Sequence, residues 1–121
     1  MLFPPKSLTD RAFTKEELES DKKVRNKYED CGLGKKALYV GTFGLGCRRY
    51  IPLGQVKRVY KRLAVSKGYF EQGKVYATIS YLVIMFGKDS EKVVRFTNED
   101  NLDALLNDIK AHTNIPVGKP K

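Results

Sequence analysis

Apolar residues occur in short runs along this 121-residue chain, and most of the runs have the composition of β-strands. Val, Ile, Leu and Tyr concentrate in residues 37–41, 48–53, 75–86 and 92–96, which predicts four strands. The second half of 75–86 is continuously apolar, so we expect a central strand that is covered on both faces. The turn that begins at Gly87 predicts that 92–96 pairs back on this strand as a hairpin.

The first helix signal lies near the N-terminus. Thr14 and Glu17 have the spacing of a capping box, which predicts a helix from Lys15 to about Asp30. Apolar residues are sparse in this segment, so the helix is expected to lie on the surface. The Gly-rich stretch 31–34 is typical of a helix end, and the arm 1–12 that precedes the helix is irregular.

A second helix is predicted near the C-terminus. Thr97 is the expected N-cap, because acidic residues follow it in the first turn, where the helix dipole favours them. An amphipathic stripe comes next at helical spacing, formed by Leu102, Leu105, Leu106 and Ile109. Pro116 prevents the helix from continuing, and we expect a flexible tail over 116–121.

Segment 55–66 is open to two interpretations. Its apolar residues stand at positions 56, 59, 60 and 63, a helical spacing that predicts a basic amphipathic helix. Val and Tyr are strand formers, however, and the segments on either side are predicted strands. The next residues, 67–74, contain two glycines and are expected to form a loop, with Tyr69 and Phe70 either exposed to a partner or folded back on the domain.

This order of elements indicates an α+β fold. A charged helix is followed by antiparallel strands joined by hairpins and by one terminal amphipathic helix, which is the expected cover for the apolar face of the sheet. We divide the chain into an arm and charged helix over 1–34, a single domain over 35–115 and the tail 116–121.

The composition excludes several classes of protein. No run approaches the roughly 20 apolar residues of a membrane-spanning helix, and the N-terminus lacks the pattern of a signal peptide, so a cytoplasmic location is expected. Cys31, Cys47 and His112 are too few for a zinc site, and both thiols are expected to be buried. The glycines of 41–46 lack the Lys-Ser/Thr of a phosphate-binding loop. With no nucleophile and base placed together, we expect no enzymatic activity, no cofactor and no metal.

Positive charge is concentrated in one third of the chain. Residues 35–75 hold ten Lys or Arg and a single acid, so their net charge equals the +9 of the whole chain. Such a region indicates a negatively charged partner or, alternatively, a solvated strand edge guarded by charge. On a strand, Arg58 and Arg62 share one face with Tyr60, and Lys57 and Lys61 share the other. On a helix, all four would form one stripe. The candidate partner-binding residues are Arg48, Arg49, Lys57, Arg58, Lys61 and Arg62.

Five segments together resemble the pleckstrin-homology-like (PH-like) superfold, including its bacterial and GRAM-like members. They are Leu38-Tyr39-Val40, Tyr50-Ile51-Pro52-Leu53, Val56-Lys57-Arg58-Val59-Tyr60, Tyr81-Leu82-Val83-Ile84 and the helix from Asn98. The resemblance covers residues 35–115. It implies an antiparallel β-sandwich, or partly open barrel, that the C-terminal helix closes at one end, with the first helix as an N-terminal addition. It also favours a strand for 56–65.

The resemblance implies a binding module without enzymatic activity, for a protein or peptide partner or for self-association. Some members bind phosphoinositide head groups through Lys and an Arg-x-Arg pattern in the first two strands. Here Lys35 and Lys36 precede an adjacent pair, Arg48 and Arg49, and adjacent strand residues point to opposite faces. An anionic phospholipid or nucleic acid that binds the basic 48–62 region is the alternative partner.

Overall fold

The computed structural model describes residues 6–42, 46–70 and 73–119, with side chains described except at 42–48 and 65–77. Two α-helices, eight strands and one short 3-10 turn make up this part of the chain. In chain order they are β1 (Lys6–Ser7), α1 (Lys15–Lys23), β2 (Asn26–Tyr28), β3 (Cys31–Leu33), β4 (Ala37–Thr42), β5 (Gly46–Pro52), the turn Leu53–Gln55, β6 (Val56–Phe70), β7 (Gly73–Phe86), β8 (Ser90–Phe96) and α2 (Glu99–His112).

The strands form two sheets. The first five strands form a sheet in the order β1-β5-β4-β3-β2, and the last three form a sheet in the order β6-β7-β8. All neighbours are antiparallel except β1 and β5. The predicted α+β class with two sheets is therefore confirmed. Strands on both sides of the predicted boundary at residue 35 belong to the five-stranded sheet.

The main hydrophobic core draws residues from both sheets and from α2. Leu38, Val40 and Ile51 contribute from the five-stranded sheet, and Leu82 and Ile84 contribute from β7; all five are fully buried. The predicted stripe of α2 lies in the same core, with Leu102, Leu105, Leu106 and Ile109 buried. Burial of these side chains removes apolar surface from water, which is the main force that holds α2 against the sheets.

A smaller cluster covers the other face of the five-stranded sheet. Ala37 and Tyr39 alternate along β4 with the core residues, and they pack with Tyr50 and with Leu18 of α1. Phe13 stacks on Tyr50, with ring centroids 5.9 Å apart. Both faces of β4 are therefore buried, which explains the almost continuously apolar sequence of this strand.

One buried carboxylate fastens α1 to the sheet. Asp21 is 4% exposed, and its carboxylate accepts hydrogen bonds from the backbone N–H groups of residues 35, 36 and 37 at 2.7, 2.9 and 3.2 Å. The hydroxyl of Tyr39 donates a fourth, at 2.8 Å. Burial and this bond to Asp21 both raise the pKa of Tyr39. The carboxylate thus closes the turn between β3 and β4 and ties it to the helix.

The first helix is shorter than predicted. Its capping box is present, but it ends at Lys23, and the residues up to Leu33 form the β2–β3 hairpin instead. The side chains that α1 buries are Leu18 and Asp21. The next apolar residue, Val24, is the C-cap and is 52% exposed, so little apolar burial supports the helix at this point, and the prediction of a helix to Asp30 is wrong.

Segment 56–65 is a strand, as the resemblance favoured, and the helical interpretation of its spacing is wrong. β6 pairs with β7 without interruption from Arg58 to Phe70. The predicted loop over 67–74 is also wrong, because residues 67–70 and 73–74 belong to this hairpin. Tyr69 and Phe70 lie in β6, and their side chains are outside the described part.

Two details at the C-terminal end differ from the prediction. Asn98, not Thr97, caps α2, and its side chain accepts a hydrogen bond from the N–H of Asp100 at 2.8 Å. The tail is bonded to β6 as far as Gly118, because the N–H of Val59 donates to the carbonyl of Pro116 and its carbonyl accepts from Gly118.

Two carboxylates hold α2 against the β2–β3 hairpin. Glu29, which has a φ of 54°, accepts bonds of 2.7 to 3.0 Å from both polar groups of Thr97, the N–H of Asn98 and the side chain of Asn101. Burial opposes ionisation of this carboxyl, but these bonds outweigh it and lower its pKa.

Asp108 forms the second attachment. Its carboxylate accepts bonds from Asn26, Tyr28 and His112 at 3.0, 2.8 and 2.7 Å. Burial opposes ionisation of this carboxyl, but the three hydrogen bonds outweigh it and lower the pKa of Asp108. Burial and the hydrogen bond to Asp108 raise the pKa of Tyr28 to about 12.

The contact between Gly34 and Asp21 gives a prediction about stability. A Cβ at position 34 would overlap Oδ2 of Asp21 and lie 2.6 Å from its Cγ, whereas a Cβ at Gly54 would meet nothing within 4 Å. We expect Gly34→Ala to lower the free energy of unfolding by about 2 kcal/mol or more, because buried donors lose their acceptor. Gly54→Ala is the control. Equal urea midpoints for the two variants would contradict the role of Asp21.

The attachment of α2 predicts acid sensitivity. The pKa of Glu29 is lowered from its ordinary value of 4.5, so Glu29 stabilises the fold above that pH and ceases to do so as the pH falls through its folded pKa. Glu29→Gln is expected to lower stability at pH 7 and to flatten its decline below pH 4.5. Urea titrations against pH would show this. Glu16→Gln, an equal charge change at an exposed site, should leave the slope as in the wild type; parallel curves for both variants would refute the assignment.

Candidate binding surface

The direction of each basic side chain in β6 depends on a β-bulge at its start. Val56 pairs with Phe86 and Arg58 pairs with Met85, so Lys57 is an extra residue on one strand. Val59, the next residue to enter the core, is fully buried. Strand alternation then directs Lys61 to the side of the core and α2, and it directs Arg58 and the even-numbered residues that follow to the opposite side.

The side chain of Lys61 forms ion pairs with α2. Its ammonium lies 2.8 Å from a carboxylate oxygen of Asp103 and 2.8 Å from one of Glu99. These hydrogen bonds, with that of Asp103 the stronger influence, raise the pKa of Lys61. This predicted site residue is therefore paired with two acids of α2 and links β6 to the helix.

The other predicted residues lie apart from one another. Lys57 donates to the carbonyl of Lys88, at 3.0 Å, beside the turn between β7 and β8. Arg49 is exposed on β5 of the other sheet, where it pairs with Val40 and Lys6. The side chain of Arg48 is outside the described part. The basic residues of 35–75 therefore do not form a single surface among the residues whose side chains are described.

Arg58 and Arg62 share the outer face of the three-stranded sheet, as strand alternation predicts. We define the outer face as three cross-strand rows that point away from the main core. In order along the sheet they are Arg62–Tyr81–Arg95, Tyr60–Val83–Val93 and Arg58–Met85–Glu91. Val83, the middle residue of the central row, is fully buried although it is absent from the main core.

The outer face combines an apolar centre with positive ends. The guanidinium carbon of Arg62 lies 5.4 Å from the centroid of the Tyr81 ring, within reach of a cation–π contact. Arg95 is exposed and pairs with Tyr81 from β8, and Arg58 donates to the carbonyl of Gly118 at 2.9 Å. Within the described residues, no carboxylate forms an ion pair with these three arginines. Glu91 is the one acid among the nine residues.

Sequence reasoning missed Tyr81 and Arg95 as members of the site. Both belong to segments whose apolar residues drew attention to the core. The available signal was the alternation in 92–96, where Arg95 stands between the buried Val94 and Phe96. Tyr81 and Arg95 lie in one row with Arg62 because of the pairing register of three strands, and this register cannot be read from the sequence.

A cleft of about 310 Å³ lies at the C-terminal end of α2, and Asn26, Asp108 and His112 in its lining are already hydrogen-bonded to one another through the Asp108 carboxylate. Its lining includes Val24, Lys35, Asp108 and His112. The ring of His112 bonds Asp108, which in turn holds β2. In the described part of the chain, no three His, Cys, Asp or Glu side chains are grouped to hold a metal ion. The cleft is therefore a surface concavity in which the described lining residues do not bring a set of reactive side chains together.

Comparisons with known proteins do not provide a relative for this chain. No family model, no curated protein and no solved structure matches it. None of the described helices is long and apolar enough to cross a membrane. The outer face must therefore be interpreted from its own chemistry.

Proposed function

We propose that this protein is a non-enzymatic PH-like module that binds an acidic segment of a partner protein on the outer face of its three-stranded sheet. The arginines beside Tyr81 carry the proposal, because they lie at the margin of an apolar surface and form no ion pair with any acid whose side chain is described. The two-sheet plan, with a C-terminal helix in contact with both sheets, supports the PH-like assignment. Strands β1 to β3 and helix α1 would then be N-terminal additions or extensions.

The composition of the outer face favours a protein partner. Tyr, Met and Arg are enriched at protein interfaces, and an apolar centre with a polar rim is their usual plan. Here Tyr60 and Val93, which are half-buried, form the accessible centre on either side of the buried Val83, while Arg58 and the arginine pair beside Tyr81 lie around it. Charge complementarity selects an acidic segment, since like charges across an interface are costly.

The same row of residues supports a second candidate. A row that combines an aromatic residue with two arginines is also suited to phosphates and stacked bases, so a nucleic acid or an anionic lipid surface is the alternative partner. Phosphate contacts are strongly weakened by salt, whereas the apolar centre of a protein interface is not. Binding of an acidic segment therefore weakens with salt less steeply than binding of a nucleic acid or an anionic lipid surface, and the steepness of the salt dependence separates the two candidates.

The proposal assigns no catalytic role to the shifted carboxyl groups. The pKa values of Glu29 and Asp108 are lowered by hydrogen bonds that attach α2. General acid–base chemistry needs a group with a pKa near the working pH, and a lowered carboxyl pKa moves away from it.

Fluorescence anisotropy with matched charge reversals tests the proposed function. The probes are a labelled peptide of alternating Glu and apolar residues, a single-stranded oligonucleotide and vesicles with phosphatidylserine, each titrated over a salt series. We expect the peptide to bind, and Arg62→Glu with Arg95→Glu to weaken it at least about tenfold, equivalent to 1.4 kcal/mol.

The control is Lys57→Glu with Lys88→Glu, which changes the net charge equally outside the three rows. We expect it to retain most of the peptide affinity. Equal losses in both double variants would show that net charge, not the outer face, binds the peptide. Tight, steeply salt-dependent binding of the oligonucleotide or vesicles alone would replace the proposal with the second candidate.

A further inference from the structure

The hairpin of β6 and β7 is much longer than the third strand of its sheet. The two strands pair as far as Phe70 and Gly73, whereas β8 pairs with β7 only between Ser80 and Phe86. Residues 73–79 of β7 therefore have β6 on one side and, among the described residues, no strand on the other.

This free edge is seven residues long, or about 24 Å at the rise of an antiparallel strand. An edge strand presents unpaired backbone N–H and C=O groups that can template pairing with another chain, and a two-stranded ribbon alone is only marginally stable in water. Proteins usually protect such an edge with charged residues or proline. Lys74 is the only charged residue of the edge 73–79, which contains no proline, while β6 carries five Lys or Arg.

We infer that a second copy of this chain pairs with this edge, antiparallel, about a two-fold axis at Tyr76. The axis at the midpoint places residue 73 of one copy opposite residue 79 of the other, so both free edges are used completely. The next residue, Ser80, pairs with Phe96 at the end of β8 in each copy, so the pairing stops where the third strand occupies the edge. A two-fold axis makes one edge complementary to itself.

The sequence is compatible with this register. Lys74 lies opposite Thr78 of the second copy, so no like charges face each other across the interface. The five residues from Val75 to Ile79 are all uncharged, and all but Ala77 are strand formers. A strand from an unrelated protein could reach the same main-chain groups, but self-pairing is favoured because this register places no two charged residues opposite each other along an edge that is almost free of charge.

The dimer would join two outer faces into one surface. Antiparallel edge pairing requires a two-fold axis perpendicular to the sheet, so both sets of arginines would face the same side. This consequence, unlike the pairing, rests on the proposed function: a partner with two acidic segments would gain avidity.

Sedimentation velocity with charge variants tests the self-pairing, and no ligand is required. Residue 76 meets itself at the axis, so Tyr76→Lys and Tyr76→Glu each place like charges opposite one another. We expect the wild type to be dimeric, each variant to be monomeric, and an equal mixture of the two to form a heterodimer. Circular dichroism confirms that each variant is folded, and Asn107→Lys, on the exposed side of α2, is the control that stays dimeric.

A second pair of variants tests the register if residue 76 does not tolerate a charge. Thr78→Lys faces Lys74 of the second copy and should give monomers, whereas Thr78→Glu should keep the dimer. A monomeric wild type over the full concentration range would overturn the inference. Dimers that persist in Tyr76→Lys, or a mixture of the two charge variants that remains monomeric, would overturn it as well.

Discussion

The register of β6 decides what this protein presents to a partner. A one-residue slip of a strand moves every side chain to the other face, so register is strongly specified where one face is buried. Here Val59 is fully buried in the main core, and the bulge at Lys57 lets it reach that position after Val56. The direction of every later residue in β6 follows from this one placement.

The consequence is that adjacent basic residues have different environments. Lys61 points to the side of α2 and is paired with Asp103 and Glu99, so its charge contributes to the attachment of the helix. Arg62, its neighbour, points outward and lies over Tyr81. The high net charge of the basic region therefore overstates the charge that is available at any one surface, and the outer face holds only a part of it.

The sequence predicted the elements that depend on local patterns, and it failed where distant contacts decide. The buried stripe of α2 and the central strand β7 follow from hydrophobic periodicity. The β2–β3 hairpin does not follow from such a pattern, because its strands have only three residues each. It is held by hydrogen bonds to residues distant in sequence: Glu29 accepts from Thr97, and Tyr28 donates to Asp108 of α2. The spacing of apolar residues in 56–63 predicted a helix for a related reason. The bulge at Lys57 breaks the apolar–polar alternation that would have indicated a strand. Arg95 joined the candidate site only through pairing across three strands.

Nitroxide scanning of β6 measures its register directly. In a background without Cys31 and Cys47, single cysteines at positions 58 to 62 are spin-labelled, and the accessibility of each label to a relaxing agent is recorded. The account predicts high accessibility at 58, 60 and 62 and low accessibility at 59 and 61, a period of two. A period near 3.6, or a period of two in which residues 59 and 61 are the accessible ones, would contradict the placement of the arginines on the outer face.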